Sequence, residues 1–275
     1  MSTSQDEIKL DASLDLMRRL PPQNCEQHLK DLVRLSPHLC EDLLSSIDQP
    51  LKVARDKTGK AYLLCDYNRD QDSYRSPWTN EYTPPLADGA LPSDRIRKLE
   101  IEANHAFEVY RDMYYEGGIT SAYFWGLEEG FAGVVLIKKE ADGERGAEGC
   151  WDAMHVIETQ EKAQGRTALY RLSTTLMMWL KSGNSRSGAM SNGGSISHQT
   201  QHERILTDQV THLVNIGELI EDQENTMRSR MNQVHKMKHI FSELRTVEPS
   251  AETQQHEEFK KDLVQVVARR SDENV

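Results

Sequence analysis

The sequence predicts an α+β protein, with helices towards both ends of the chain and an antiparallel sheet between them, and three observations carry that prediction. Apolar residues recur at helical spacing in three proline-bounded segments before Pro50. Four segments rich in aromatic and β-branched residues follow between Ile119 and Leu180, divided by glycine-bearing turns. Beyond them an apolar residue returns every seventh position from Leu213 to Phe241, a spacing that one long helix keeps on a single face.

Taken in order, Ile8, Leu10, Leu14, Met17 and Leu20 define a helix that Pro21 and Pro22 stop. Leu29, Leu32 and Val33 define a second before Pro37, and Leu39, Cys40, Leu43, Leu44 and Ile47 a third before Pro50. Their short connections favour antiparallel packing as a small bundle. Leu51 to Arg55 and Ala61 to Cys65 flank Asp56-Lys57-Thr58-Gly59 and read as a hairpin. The proline-rich stretch from Asp66 to Pro92 reads as irregular, its aromatics Tyr67, Tyr74, Trp78 and Tyr82 either forming a partner patch or pinning the loop to the domain. Pinning is preferred, because long ordered loops need such anchors.

A helix with Ser93 as its cap runs to Tyr115, carrying Ile96, Leu99, Phe107, Tyr110 and Tyr114 on its apolar side. Gly117 and Gly118 end it and open a meander of strands over Ile119 to Trp125, Phe131 to Lys139, Cys150 to Gln160 and Arg166 to Leu180. Gly183 to Ser195 reads as a loop, and Ile196 to Leu206 as a fifth strand. The heptad residues Leu213, Ile220, Met227, Val234 and Phe241 lie on a helix from Val210 to Val247, on the order of 55 Å long. Such a seam either lies across this chain's own sheet or packs on a second, similar chain. The second is preferred, since one five-stranded sheet leaves an open edge and much of the seam uncovered.

Pro249 breaks that pattern before a last amphipathic segment. Phe259, Leu263, Val266 and Val267 form its apolar face, with Lys260, Lys261, Arg269 and Arg270 beside it. It either docks on its own core or serves as an arm for a partner groove. The expected divisions are 1–50 (helical bundle), 51–92 (hairpin and aromatic, proline-rich loop), 93–116 (helix), 117–207 (sheet), 208–248 (long helix) and 249–275 (terminal segment).

Composition excludes several classes of function. The net charge of -11 over 275 residues opposes general nucleic-acid binding, which needs a basic surface to neutralise phosphates. No run approaches the roughly eighteen apolar residues of a membrane span, and the N-terminus lacks a signal-peptide layout, so the expected location is the cytoplasm. Cys25, Cys40, Cys65 and Cys150 have no CxxC spacing and read as reduced thiols.

Few residues invite chemistry. Asp66, Asn68 and Asp70 take the first, third and fifth places of a calcium loop, but its sixth place holds Gln71 instead of glycine and its twelfth Pro77 instead of glutamate. The stronger reading is that Asp66 and Asn68 bond nearby amides and turn the chain. His198 with His202, and His235 with His239, could be paired metal ligands on a helix, yet neither pair has the HExxH glutamate or an obvious third ligand. Phosphate-binding glycine loops and the GxSxG elbow are absent from the sequence. No metal, cofactor or catalytic residue is therefore assigned, and the chain is not read as an enzyme.

The hexapeptide Cys65-Asp66-Tyr67-Asn68-Arg69-Asp70 resembles the signature of the F-actin capping protein beta-subunit family. Similar blocks recur at Leu14 to Pro22, Leu39 to Pro50 and Phe131 to Lys139, in an order and spacing like that family's from end to end. The resemblance implies an obligate heterodimer with a capping protein alpha subunit of like fold. The two five-stranded sheets would join, the long helices would cross them antiparallel, and the N-terminal helices would form a stalk. Such a dimer caps the barbed end of the actin filament without calcium or catalysis and blocks both addition and loss of subunits in the cytoskeleton.

The resemblance also implies residue roles. The family's KDLV motif falls on Lys261 to Val264 and puts an apolar actin contact at Leu263, within an arm that spans Phe259 to Arg270. The stretch from Asn215 to Arg228 places a barbed-end contact at Arg228, near the basic end of the long helix. Phosphoinositides and capping-protein regulatory peptides are further partners it implies. Two competing functions remain at this point: a scaffold subunit in an actin-related assembly of the dynactin kind, and an enzyme that uses the carboxylates after Cys65. Val266, Val267 and the tail acids Asp272 and Glu273 depart from the pattern expected of vertebrate members.

Overall fold

The computed structural model describes residues 5–142, 147–162, 166–182, 190–207 and 210–235. Residues 236–247 of the predicted long helix, including Phe241, the side chain of Val234, and the arm of 249–275 lie outside them.

Helices α1 (Gln5–Arg19), α2 (Cys25–Leu35) and α3 (Cys40–Ser46) fall where the prolines divide the sequence. Pro22 and Pro37 each open a single 3-10 turn that leads into the next helix, since proline's fixed φ and missing N–H suit a helix start. Met17, Cys25, Leu29, Leu39 and Leu43 are buried together as a small core of their own.

Strands β1 (Lys52–Arg55) and β2 (Ala61–Leu64) form the expected hairpin. Its turn is closed by the Asp56 carboxylate, which accepts the Thr58 and Lys60 amides at 2.9 and 3.1 Å. The stretch read as irregular contains a short three-stranded sheet, β3 (Arg69–Asp70), β4 (Ser73–Arg75) and β5 (Tyr82–Thr83). Strands of two or three residues are too short to show alternation, so periodicity misses them.

Helix α4 (Asp94–Tyr114) precedes the main sheet of β6 (Ile119–Leu127), β7 (Gly130–Asp142), β8 (Ala147–Glu161), β9 (Thr167–Ser182) and β10 (Met190–Ile205). Ser93 takes the N-cap position without a side-chain hydrogen bond to the helix. The strands run as an antiparallel meander in spatial order β10-β9-β8-β7-β6. In β7 the consecutive residues Val134, Val135, Leu136 and Ile137 are all buried, as a strand covered on both faces requires. One face packs on α4 and on α5 (Val210–His235). The opposite face is covered by the β1–β2 hairpin, with Leu51 and Leu63 against Tyr123, Val134 and Leu136.

The fifth strand starts at Met190, well inside the segment expected to be a loop. Gly193 and Gly194 mislead the sequence reading because they are there for close approach. A Cβ on Gly194 would sit 2.7 Å from the Arg18 carbonyl oxygen, and one on Gly193 would sit 3.1 Å from the Pro21 Cα. The end of α1 rests on the bare backbone of β10.

The two edges of the sheet are treated differently. At β6, the Asn104 side chain on α4 accepts the Ala122 amide and donates to the Ala122 carbonyl, both at 2.9 Å, and the Glu100 carboxylate accepts the Phe124 amide at 2.9 Å. Side chains of α4 thereby occupy the positions that another strand would need. At the other edge, β10 pairs with β9 alone among the described strands.

Gly194→Val is expected to push α1 off β10 and cost about 1–3 kcal/mol, as overpacking does. Urea denaturation would register the loss, and limited proteolysis should show faster cleavage within residues 5–46. Unchanged stability and cleavage would mean that the glycine contact does not hold the bundle.

Candidate functional site

The signature hexapeptide is a junction built from polar side chains. Asn68 is fully buried; its Oδ1 accepts the Cys65 amide at 3.0 Å and its Nδ2 donates to the Arg75 carbonyl at 2.8 Å. Both ends of the amide are thus committed to the backbone. Asp70 accepts the Ala90 amide at 3.0 Å, while Asp66 is exposed, so the three oxygens of the calcium-loop pattern turn in different directions. Burial pushes the Cys65 thiol up to about 12, against the pull of amide hydrogen bonds from Tyr67 and Asn68. Gln71, at the place where a calcium loop needs glycine, takes φ 52° in the tight β3–β4 turn. The aromatics are tied to the domain: Trp125 Nε1 donates to the Tyr67 carbonyl at 2.6 Å, Tyr123 Oη to the Leu63 carbonyl at 2.7 Å and Trp78 Nε1 to the Ala61 carbonyl at 3.3 Å.

The same junction delivers Arg75 to Glu100. Arg75 donates through both terminal nitrogens to the two carboxylate oxygens of Glu100, each at 2.7 Å, and neither side chain has exposed surface. Arg97 adds a second guanidinium at 2.5 Å, and Asn80 Oδ1 accepts from Arg75 at 2.7 Å. The Arg75 guanidinium also lies 5.1 Å from the Trp125 ring centroid, within cation–π range.

Helix α5 is attached to the sheet and to α4 by a second polar set. His155 on β8 meets the Thr174 hydroxyl at 2.9 Å and the Glu224 carboxylate at 3.1 Å, and both His155 and Glu224 are fully buried. Tyr110 and Tyr114 on α4 donate to Glu224 and Glu221, each at 2.6 Å. The heptad residues Ile220 and Met227 have no exposed surface within the single chain, and Leu213 packs partly buried on the same core. The seam positions of Ile220 and Met227 are therefore filled by this chain's own sheet and α4, because α5 lies along the sheet with that face down, while Leu213 is covered on one side only. Arg228 is half-buried near the end of the described helix, with Arg230 exposed beyond it.

His198 and His202 lie on a strand, so four residues separate them by about 13 Å, too far to share one ion. His235 ends the described part of α5, and His239 lies outside the described residues. A cluster that sequence reading missed joins Lys138, Cys150 and Asp152, whose atoms approach to 3.1–3.2 Å. Burial raises both the Cys150 thiol, to about 12, and the Asp152 carboxyl, although Lys138 opposes each. Asp152 also accepts the Leu51 amide at 2.8 Å, so the cluster anchors the hairpin to β8. A protonated thiol of that kind is a poor nucleophile. Period-two alternation on β7 and β8 could have placed these residues on one face, but not paired them.

Comparison with known proteins gives one consistent answer. Residues 10–241 match the family described as F-actin capping protein, beta subunit. The F-actin-capping protein subunit beta of Caenorhabditis elegans is 55% identical over 96% of this chain and 98% of its own. That of Drosophila melanogaster is 53% identical over 96% and 97%, and that of Emericella nidulans 44% over 96% and 99%. Among solved structures, the homodimeric actin capping protein alpha subunit from Plasmodium berghei is 14% identical over 84% of this chain and 92% of its own, with a TM-score of 0.49.

Two outcomes follow from the polar contacts. Arg75→Met leaves a buried carboxylate short of its bidentate partner and is expected to cost about 3–5 kcal/mol, whereas Arg75→Met with Glu100→Met should cost less than the two single changes together. A denaturant double-mutant cycle measures this, and additive losses would show that the two do not act as a pair. His212 concerns pH: burial holds its pKa below the ordinary 6.5, Glu161 pulling upward and Arg95 downward. The unfolded chain then binds a proton that the folded chain refuses, so this contribution to stability is complete above pH 6.5 and lost as pH falls from there through the folded pKa. Denaturation midpoints between about pH 7.5 and 5 should fall with pH, and His212→Gln should flatten part of that slope; an unaltered slope would exclude His212 as its source.

Proposed function

The chain belongs to the F-actin capping protein beta-subunit family, and from that premise we propose that it is the beta subunit of a heterodimer that caps actin filaments. Paired with an alpha subunit it binds the barbed end, without calcium, and blocks addition and loss of subunits. The observation that carries this reading is the match of nearly the whole chain to beta subunits, at more than half identity in two animals. The relatives favour neither the scaffold nor the enzyme function, and the family is a cytoskeletal, actin-binding one. The cytoplasm is the location in which it acts on filaments.

The sheet edges support a particular way of pairing. With β6 closed by Asn104 and Glu100, β10 is the edge through which the sheet continues into the alpha subunit, since a sixteen-residue strand open on one side otherwise invites uncontrolled pairing. The N-terminal helices form the stalk of the dimer. Residues 51–92 and 93–116 brace the sheet at 117–207, and the helix of 208–248 carries the arm of 249–275. With Ile220 and Met227 buried in this chain's own core, the part of the seam left for a second chain is Val234 and Phe241.

Capping then proceeds in two stages. Basic residues, Arg228 among them, steer the encounter with acidic actin and give it a salt dependence. The arm follows, laying Phe259, Leu263, Val266 and Val267 on the terminal actin with Lys260, Lys261, Arg269 and Arg270 around them. Because it is tethered, it meets that surface at high effective concentration and chiefly slows release. Phosphoinositides and regulatory peptides bear on the same dimer.

The deciding experiment co-expresses the chain with an alpha subunit and measures elongation from actin seeds; a folded heterodimer that leaves elongation untouched overturns the reading. Within it, Leu263→Asp removes an apolar contact worth about 1.5–3 kcal/mol, so capping lifetimes should shorten by roughly 10–100-fold with a much smaller change in on-rate. Equal lifetimes for variant and parent would remove the arm from the mechanism.

A further inference from the structure

Helices α4 and α5 leave between them an apolar groove of about 240 Å³, lined by Phe107, Val109, Tyr110, Met113, Leu213 and Gly217. Val109 is 61% exposed at its mouth. Gly217 stands inside α5, where glycine costs about 1 kcal/mol relative to alanine. A Cβ at that position would meet nothing within 4 Å. Packing within the described chain does not require this glycine, so its use is to keep the groove wall flat for something that approaches closely.

The charge around the groove narrows what that something is. Glu221 lines it, Glu218 and Asp222 are exposed on the same helix, and Asp112 is exposed on α4. Arg111 is the basic neighbour on α4, and it is paired with Asp112 at 2.7 Å. An apolar floor with an acidic rim fits a short amphipathic helix with a basic flank. This chain contains such a segment: between Phe259 and Arg270, four basic residues stand against the single acid Asp262, and Phe259, Leu263, Val266 and Val267 share one helical face.

We propose that the α4–α5 groove is the resting berth of this chain's own segment Phe259–Arg270, and that the segment must leave the groove before it can hold actin. The proposal rests on the capping function put forward above. Reach does not limit it. Gly217 lies about 27 Å back along α5 from His235 by helix rise, and the 23 residues between His235 and Phe259 span up to about 80 Å when extended. Tethering supplies an effective concentration in the millimolar range. A segment that binds the groove in trans with a Kd of about 100 μM would then be docked roughly nine-tenths of the time, and its hold on the terminal actin would be weakened about tenfold. The same apolar face serves groove and actin, so the two states exclude one another.

The test uses the full-length heterodimer carrying Val109→Cys, with alkylation by N-ethylmaleimide read by mass at residue 109. Alkylation should be at least about fivefold slower in the intact protein than after deletion of residues 249–275, as a mostly docked segment requires. A synthetic peptide of residues 252–272 should restore protection to the truncated protein, and Leu263→Asp should relieve it in the intact one. Equal rates with and without the segment overturn the proposal: fast in both means an open groove, and slow in both means that the alpha subunit covers it. In seeded elongation, Val109→Lys should lengthen capping lifetimes several-fold over the parent, and unchanged lifetimes overturn the need for release. A parent heterodimer that fails to slow elongation would remove the capping function instead, while the alkylation rates still decide the berth.

Discussion

The ion pair between Arg75 and Glu100 is the contact on which the rest of the arrangement depends. It joins three pieces of chain: the loop after the signature hexapeptide, helix α4 and the edge strand β6. Removing two charges from water carries a penalty of several kcal/mol for each ion, so an isolated pair in this position would be doubtful value. Here the carboxylate is supplied by two guanidinium groups and a backbone amide, while Arg75 also meets Asn80 and the face of Trp125. The geometry is bidentate, the strongest form such a pair takes. A mispositioned α4 would leave Glu100 charged, buried and unpaired, so the pair rejects alternative placements of that helix more than it adds stability to the right one.

From that point order is passed towards the far end of the chain. Asn68 in the hexapeptide holds the Arg75 carbonyl, Arg75 holds Glu100, and Glu100 and Asn104 fix α4 on β6. Tyr110 and Tyr114, further along α4, then receive Glu224 and Glu221 of α5, and His155 receives Glu224 from the sheet. Apolar contacts alone set the position of α5 along the sheet only loosely, since they are non-directional. Buried hydrogen bonds to carboxylates do not tolerate a slip. The family signature and helix α5 are far apart in sequence, yet they are linked by a short series of polar contacts.

This explains which parts of the molecule could be read from its sequence. Helices α1 to α4, the hairpin and four of the strands declared themselves by period and punctuation, because burial of one face imposes a period on every long element. The start of β10 did not, since Gly193 and Gly194 carry the composition of a loop while serving the close approach of α1. The heptad seam was visible as a pattern but not as a choice of partner, for a helix buries Ile220 equally well on its own sheet or on another chain. Least legible were the polar links. Arg75 and Glu100 are 25 residues apart, and His155 and Glu224 are 69; singly, each resembles an ordinary surface residue, and nothing local marks the partner. At residues 259–270 the sequence carries only an amphipathic pattern, which does not by itself name the surface it fits.

The placement of these links has a mechanical consequence for the far end of the described α5. The described part of α5 has 26 residues, about 39 Å in length. A tilt of about 5° about its first turn would displace the other end by about 3 Å, a distance comparable with a whole hydrogen bond. Glu221 and Glu224 lie near the middle, one bound to α4 and the other to both α4 and the sheet. Two restraints a turn apart on different partners control tilt and rotation together, which one restraint cannot do. Arg228 follows Glu224 by one turn on the same helix, so its direction is set by the carboxylate that His155 and Tyr110 hold. A residue near a free helix end could point in many directions; one turn beyond this clamp, the Arg228 backbone is held in one, so the polar interior of the protein fixes how that end of the described helix is presented.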